Sequence, residues 1–263
     1  MPQMNEILDS VFRWLHVVAG VMWSGHLWFF NFVNGQLVKT YDADSKKKVV
    51  PELMPRALYW FRWGAFYTWV TGFLLIGVTY AMGGYLMSGP DAPVGAGAAT
   101  GIVLVAFFAA FFIYDVLWKS PLAKNEMAGA AVSFILFMAV ITGVHFSGIY
   151  SARAQFIFAG GLLGTIMMMN VWMRIWPAQR KIIGGIKGTN PAPTPDVPAM
   201  AGLRSKHNTY MSVPLIFFMV SNHFSTLIGN DYNYALIGAV VLVGWALAKF
   251  FYAKAASPAP VQL

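Results

Sequence analysis

Five histidines stand in a chain of 263 residues that carries no cysteine. His16, His26, His145 and His223 each fall inside a long apolar run, and His207 stands at the mouth of the run that ends in His223, RSKHNTYMSVPLIFFMVSNHF. An ionisable side chain in hydrocarbon is expensive, so each such histidine marks a candidate site. A neutral imidazole is a good axial ligand for haem iron, and two from facing helices hold a low-spin electron-transfer centre. Copper is the weaker reading of the same cluster. The bland reading is a hydrogen bond across helices, because polar groups glue membrane bundles. Without cysteine, disulfides, iron–sulfur clusters, thiolate metal sites and covalently attached c-type haem are all excluded.

The elements that must position these residues are helices in lipid. Hydrophobic residues make up 58% of the chain and charged residues 11%, against about 25% charged in an average soluble protein. Several stretches pass the length of about 18 near-chargeless residues that a spanning helix needs. The reading is an all-α, polytopic transmembrane bundle of about seven spans: 7–33, 57–82, 98–119, 127–149, 153–176, 209–229 and 232–253. Residues 1–253 form one membrane domain, and 254–263 read as a disordered tail. The loop Lys39–Arg56 carries a KKK run, and the polar interval from Pro177 to Asn208 reads as a solvated loop.

Lys and Arg collect after the first, third and fifth spans and at the C-terminal end. The positive-inside rule then puts the N-terminus outside and the C-terminus in the cytoplasm. The net charge of +8 follows from those loop positions and speaks for topology, not for nucleic acid. At about 1.5 Å of rise per residue, His16 lies roughly 13 Å in from its outer end. His145 and His223 also fall in the outer half, while His26 and His207 form an inner pair. One haem b is expected in the outer group, with iron held by His16, His223 or His145, and a second, weaker site at His26 and His207. A flat porphyrin needs small neighbours; Gly20 lies one turn after His16, Gly143 and Gly148 flank His145, and Gly160, Gly161 and Gly164 smooth the fifth span. Arg13 and Arg153 are candidates for haem propionates, and Arg62 is a candidate partner for Asp115.

Several runs carry a family resemblance. RWLHVVAGVMWSG, FRWGAFYTWVTGFLL, YDVLWKS, GTIMMMNVWMRIWPAQRK and the HN-Y and SNH pieces around His207 and His223 resemble, in order, the membrane domain of the bacterial membrane-bound urate oxidases. That resemblance implies urate oxidation with electrons passing to a cytochrome c, and it carries His16, His207 and His223 as family histidines. Two departures stand out: Phe158 occupies a position where the family pattern has a histidine, and the chain has no C-x-x-C-H. A separate cytochrome c on the outer face is therefore the expected electron partner. The competing reading is a non-catalytic structural or assembly subunit of a larger respiratory or photosynthetic membrane complex.

Overall fold

The computed structural model describes residues 4–257, the side chains of Ser225 and Leu227 excepted. The elements are helices: α1 (Met4–Trp28), α2 (Ala43–Leu75), α3 (Ala96–Leu117), α4 (Glu126–Phe146), α5 (Ala152–Asn170), α6 (Trp176–Lys187), α7 (Asp196–Val220) and α8 (Asn233–Ala256). Three π-helical segments interrupt the regular pattern, Phe29–Asn34 after α1, Ile76–Met82 after α2 and Val171–Ile175 between α5 and α6. Among the described residues, β pairing is limited to one antiparallel bridge, Met87 with Tyr150.

Among the described residues, five rods are long and apolar enough to cross a membrane: Ala43–Met82, Ala96–Leu117, Glu126–Phe146, Ala152–Lys187 and Asn233–Ala256. The chain is a multi-pass membrane protein by that measure. The other two expected spans, 7–33 and 209–229, fall on α1 and α7, which are helical but outside this apolar class. α1 nevertheless exposes Val11, Trp14, Leu15, Val17, Val18 and Val21, a stripe at helical spacing of the kind that faces lipid.

Two polar intervals differ from the expected loops. Lys46, Lys47 and Lys48 belong to the start of α2, whose first turn is capped by the Asp42 carboxylate accepting from the Ser45 amide at 2.6 Å. That bond, more than any other influence, holds the exposed Asp42 carboxyl below the usual carboxylate range. The interval from Pro177 to Asn208 is mostly helix, with α6 and α7 joined across residues 188–195. Gly188, at φ +78°, makes the left-handed turn that ends α6. α7 is polar because Arg204, Asn208, Thr209 and Ser212 are buried, not because the segment is solvated. α8 also runs on to Ala256, inside the expected tail, and the rest of that tail from residue 258 lies outside the described residues.

The chain divides into two compact units, Met1–Arg13 with Gly72–Ile166 and Pro214–Val243, and Trp14–Thr71 with Met167–Val213 and Gly244–Leu263. The first unit packs side chains onto glycines. A Cβ on Gly161 would stand 2.5 Å from Phe107 Cζ, and one on Gly160 would stand 2.5 Å from Met219 Cε and 3.1 Å from Phe218 Cβ. Phe107, Phe156 and Phe218 are almost wholly buried. Of the glycines expected to smooth a bed for a flat cofactor, Gly160 and Gly161 are filled by neighbouring side chains instead, while Gly143 and Gly148 meet nothing within 4 Å. Gly148, at φ +65°, closes the end of α4 by a left-handed turn. The second unit seats α1 on α2: a Cβ on Gly64 would meet the Trp23 backbone at 3.1 Å, and Phe30 meets Phe61 edge-on at 5.4 Å.

Candidate functional site

His16 and His26 project from α1, and both rings are oriented by the nitrogen nearer the backbone. His16 Nδ1 lies 3.1 Å from Thr71 Oγ1. The Thr71 hydroxyl has one proton, and it points to the Tyr67 carbonyl at 2.6 Å, with the Thr68 carbonyl at 3.1 Å. Toward His16 the hydroxyl can therefore only accept, so Nδ1 carries the hydrogen and Nε2 the basic lone pair. His26 reaches the same state by donating Nδ1–H to the Met22 carbonyl, one turn back, at 2.7 Å. Gly20 lies on the α1 face toward α2, where a Cβ would stand 3.8 Å from Thr68 Cγ2.

His145, near the end of α4, repeats the arrangement in the first unit. Its Nδ1 is 3.2 Å from Gln155 Oε1. Gln155 is buried and donates its Nε2 to the Tyr150 carbonyl at 3.0 Å, which fixes the amide orientation. The amide oxygen only accepts, so His145 also presents Nε2 as its basic nitrogen. Tyr234 and Phe146 flank the ring, each at 4.8 Å between centroids. Three of the five histidines thus hold the tautomer in which Nδ1–H is anchored and Nε2 is the basic nitrogen, an arrangement that metal-ligating imidazoles also use. Nothing in this donor set conflicts with haem.

The remaining candidates sit differently. His223 is exposed on the 3₁₀ turn Ser221–His223 that follows α7, not within a continuous helix. His207 is half-buried on α7 between the buried Arg204 and Asn208. Arg13 already grips Asp9 with two nitrogens, at 2.8 Å and 3.2 Å, and Asp9 also accepts from the Thr79 hydroxyl. Arg153 stacks over the Tyr85 ring at 5.6 Å. Lys119 takes the part expected of Arg62, pairing with Asp115 at 2.7 Å. Arg62 lies over the Trp176 ring at 4.1 Å, with Trp172, Trp63 and Tyr59 around it.

Two polar groupings carry no signal in the histidine pattern. In the second unit, one face of α7 bonds three neighbouring segments. Asn208 accepts from Asn170 at 3.0 Å and donates to the Met167 carbonyl at 2.9 Å. Ser205 accepts from Asn31, and Ser212 from the Trp28 indole, each at 2.9 Å. Tyr252 closes the network on Asn31 at 2.9 Å. In the first unit, Asn222 donates to the Tyr80 hydroxyl at 2.6 Å. The spacing of Ser205, Asn208 and Ser212 was the only sequence sign of the first grouping, and adjacency to His223 the only sign of the second.

The architecture defines a multi-pass helical membrane protein in which His16, His26 and His145 each have Nδ1 held by a hydrogen bond. The family model described as Urate oxidase N-terminal matches residues 40–262, and the chain belongs to that family. The match includes His145, His207 and His223; His16 and His26 precede it. No curated protein and no solved structure matches the chain.

Proposed function

We propose that this chain is the membrane redox part of a urate-oxidising system in a bacterial inner membrane, holding haem b through its histidines and exchanging electrons with a separate cytochrome c on the outer face. The observation that carries the reading is the anchored Nδ1–H of His16, made by a Thr71 hydroxyl whose own proton is already committed. Such an anchor raises the basicity of Nε2 and holds the ring in one orientation, which are the two things a ligating imidazole needs. His145, anchored by Gln155, and His223, both in the first unit, are the other candidate ligands, and His26 with His207, both in the second, the candidates for a second haem. Bound there, haem supplies one-electron redox chemistry. Each helix supplies an apolar setting for its own histidine: α1 and α4 carry mainly apolar side chains on either side of His16 and His145.

The test is the difference spectrum of the purified protein, reduced with dithionite against oxidised in air. A b-type band is expected, reduced in amplitude by His16→Ala. A folded preparation without haem that co-purifies with a larger complex overturns the reading and identifies a structural or assembly subunit. Urate oxidation is assayed with and without added cytochrome c; turnover is expected only when the cytochrome is present.

A further inference from the structure

We propose that Arg62 and the aromatic rings around it form a binding site for the phosphate of an anionic phospholipid headgroup. Arg62 lies on α2 in the second unit, as do Tyr59 and Trp63, and Trp172 and Trp176 belong to the same unit. Its guanidinium stands 4.1 Å from the centroid of the Trp176 ring and 5.7 to 5.9 Å from those of Trp172, Tyr59 and Trp63. The Trp172 indole also donates to the Arg62 carbonyl at 3.1 Å, which fixes that ring against α2. Ring faces attract the charge but leave the planar fork of N–H donors to find acceptors elsewhere. Among the described residues no carboxylate pairs with Arg62, and its buried Nε has no hydrogen-bond acceptor. Arg13 and Arg56, by contrast, each grip a carboxylate one turn back. Arg62 as a whole is half-buried, so the guanidinium is not sealed inside the bundle.

The place of Arg62 along its helix chooses a lipid over a soluble anion. Residues 63–82, which complete the rod Ala43–Met82, carry no charge. At about 1.5 Å per residue they span about 30 Å, the thickness of the hydrocarbon core. Arg62 therefore stands at the edge of that core, level with the headgroup phosphates. In the other direction Lys47 and Lys48 lie about 22 Å further along α2, where they line a cleft with Lys187 at the far end of α6. α6 thus runs beside α2, from Trp176 at the headgroup level to Lys187 in water. Tyr59, Trp60 and Tyr67 on the same stretch of α2 are about half exposed, as rings of a membrane-interface belt are. The guanidinium fork matches two oxygens of one phosphate. An anionic headgroup also supplies the counter-charge that no carboxylate of the described residues supplies.

The experiment is equilibrium binding of radiolabelled phosphatidylglycerol, and of diacylglycerol with the same acyl chains, to the detergent-purified full chain. Phosphatidylglycerol is expected to bind at least about tenfold more tightly, the worth of a charge-assisted hydrogen bond. Arg62→Gln is expected to weaken phosphatidylglycerol about tenfold and to leave diacylglycerol unchanged. Arg62→Lys keeps the charge without the fork and should lose about threefold. Arg56→Gln removes the same charge from an arginine already paired with Glu52, and should change neither lipid. Equal binding of the two lipids by the wild type overturns the site. So does phosphatidylglycerol binding that is unchanged in Arg62→Gln, or lowered as much by Arg56→Gln. Displacement of the lipid by inorganic phosphate, but not by chloride at equal ionic strength, overturns the lipid assignment and identifies a soluble phosphate ligand. Thermal melts in detergent separate lost binding from lost folding, and the two-lipid comparison on the wild type tests the site without any variant.

Discussion

At the scale of single residues, the deciding fact about the histidines is which nitrogen carries the proton. Thr71 decides it for His16, and no composition or spacing argument could have named Thr71, which stands 55 positions away. Thr71→Val removes the acceptor while keeping the shape. It is expected to weaken haem retention about tenfold, in the range found for partners of metal-ligating histidines. Thr71→Ser should restore it. The haem-to-protein ratio after prolonged dialysis in detergent checks both. Asn208 is a residue of another kind, wholly buried and bonded on both sides of its amide. Asn208→Leu strips partners from Asn170 and the Met167 carbonyl and should cost about 1–3 kcal/mol, read as a lower midpoint of thermal unfolding.

At the scale of elements, helix contact rather than cofactor space explains the glycines of α5. Gly161→Leu would drive a side chain into the ring of Phe107. Overpacking of this sort costs about 1–3 kcal/mol, and a fall in detergent melting temperature is the expected result. Gly143→Ala, which meets nothing within 4 Å, should leave it unchanged. α2 makes a different point. At about 1.5 Å per residue, the rod Ala43–Met82 is about 60 Å long, twice the hydrocarbon thickness of about 30 Å. Its charged start therefore stands clear of the lipid core. The Asp42 cap has a depressed carboxyl pKa, so its contribution is present above the ordinary carboxylate value and is lost as pH falls through the lower folded value. The protection of the Ser45 and Lys46 amides against hydrogen exchange, with rates corrected for their intrinsic pH dependence, should fall on acidification, and Asp42→Asn should blunt that response.

At the scale of the whole molecule, the orientation in the membrane is open to a clean measurement because the chain has no cysteine of its own. With the N-terminus outside, a cysteine at Asp91 should react with an impermeant maleimide in intact cells. One at Lys47 should react only after permeabilisation. The reverse pattern would overturn the orientation inferred from the basic loops. The family assignment rests on the stretch from residue 40 onward, while two of the three anchored histidines lie before it. Activity assays of His16 and His145 variants therefore compare a residue outside the family match with one inside it.

The sequence by itself determined the class of the fold. Long apolar runs in a chain this poor in charge have few stable states other than helices in lipid, and five of the expected spans stand as apolar rods. It also singled out the histidines as candidates, because an ionisable group inside an apolar run would be costly in hydrocarbon. Tertiary structure decided the rest. Polar residues of α7 were expected in solvent and are buried, since a polar side chain costs little in the interior when its partner arrives from another helix. Gly160 and Gly161 were expected to face a cofactor and instead take Met219 and the ring of Phe107, since a backbone groove is filled by whichever group the neighbouring helix presents. The proton on each anchored imidazole was settled the same way, by an acceptor that only the fold brings within reach, or in His26 by the helix's own carbonyl.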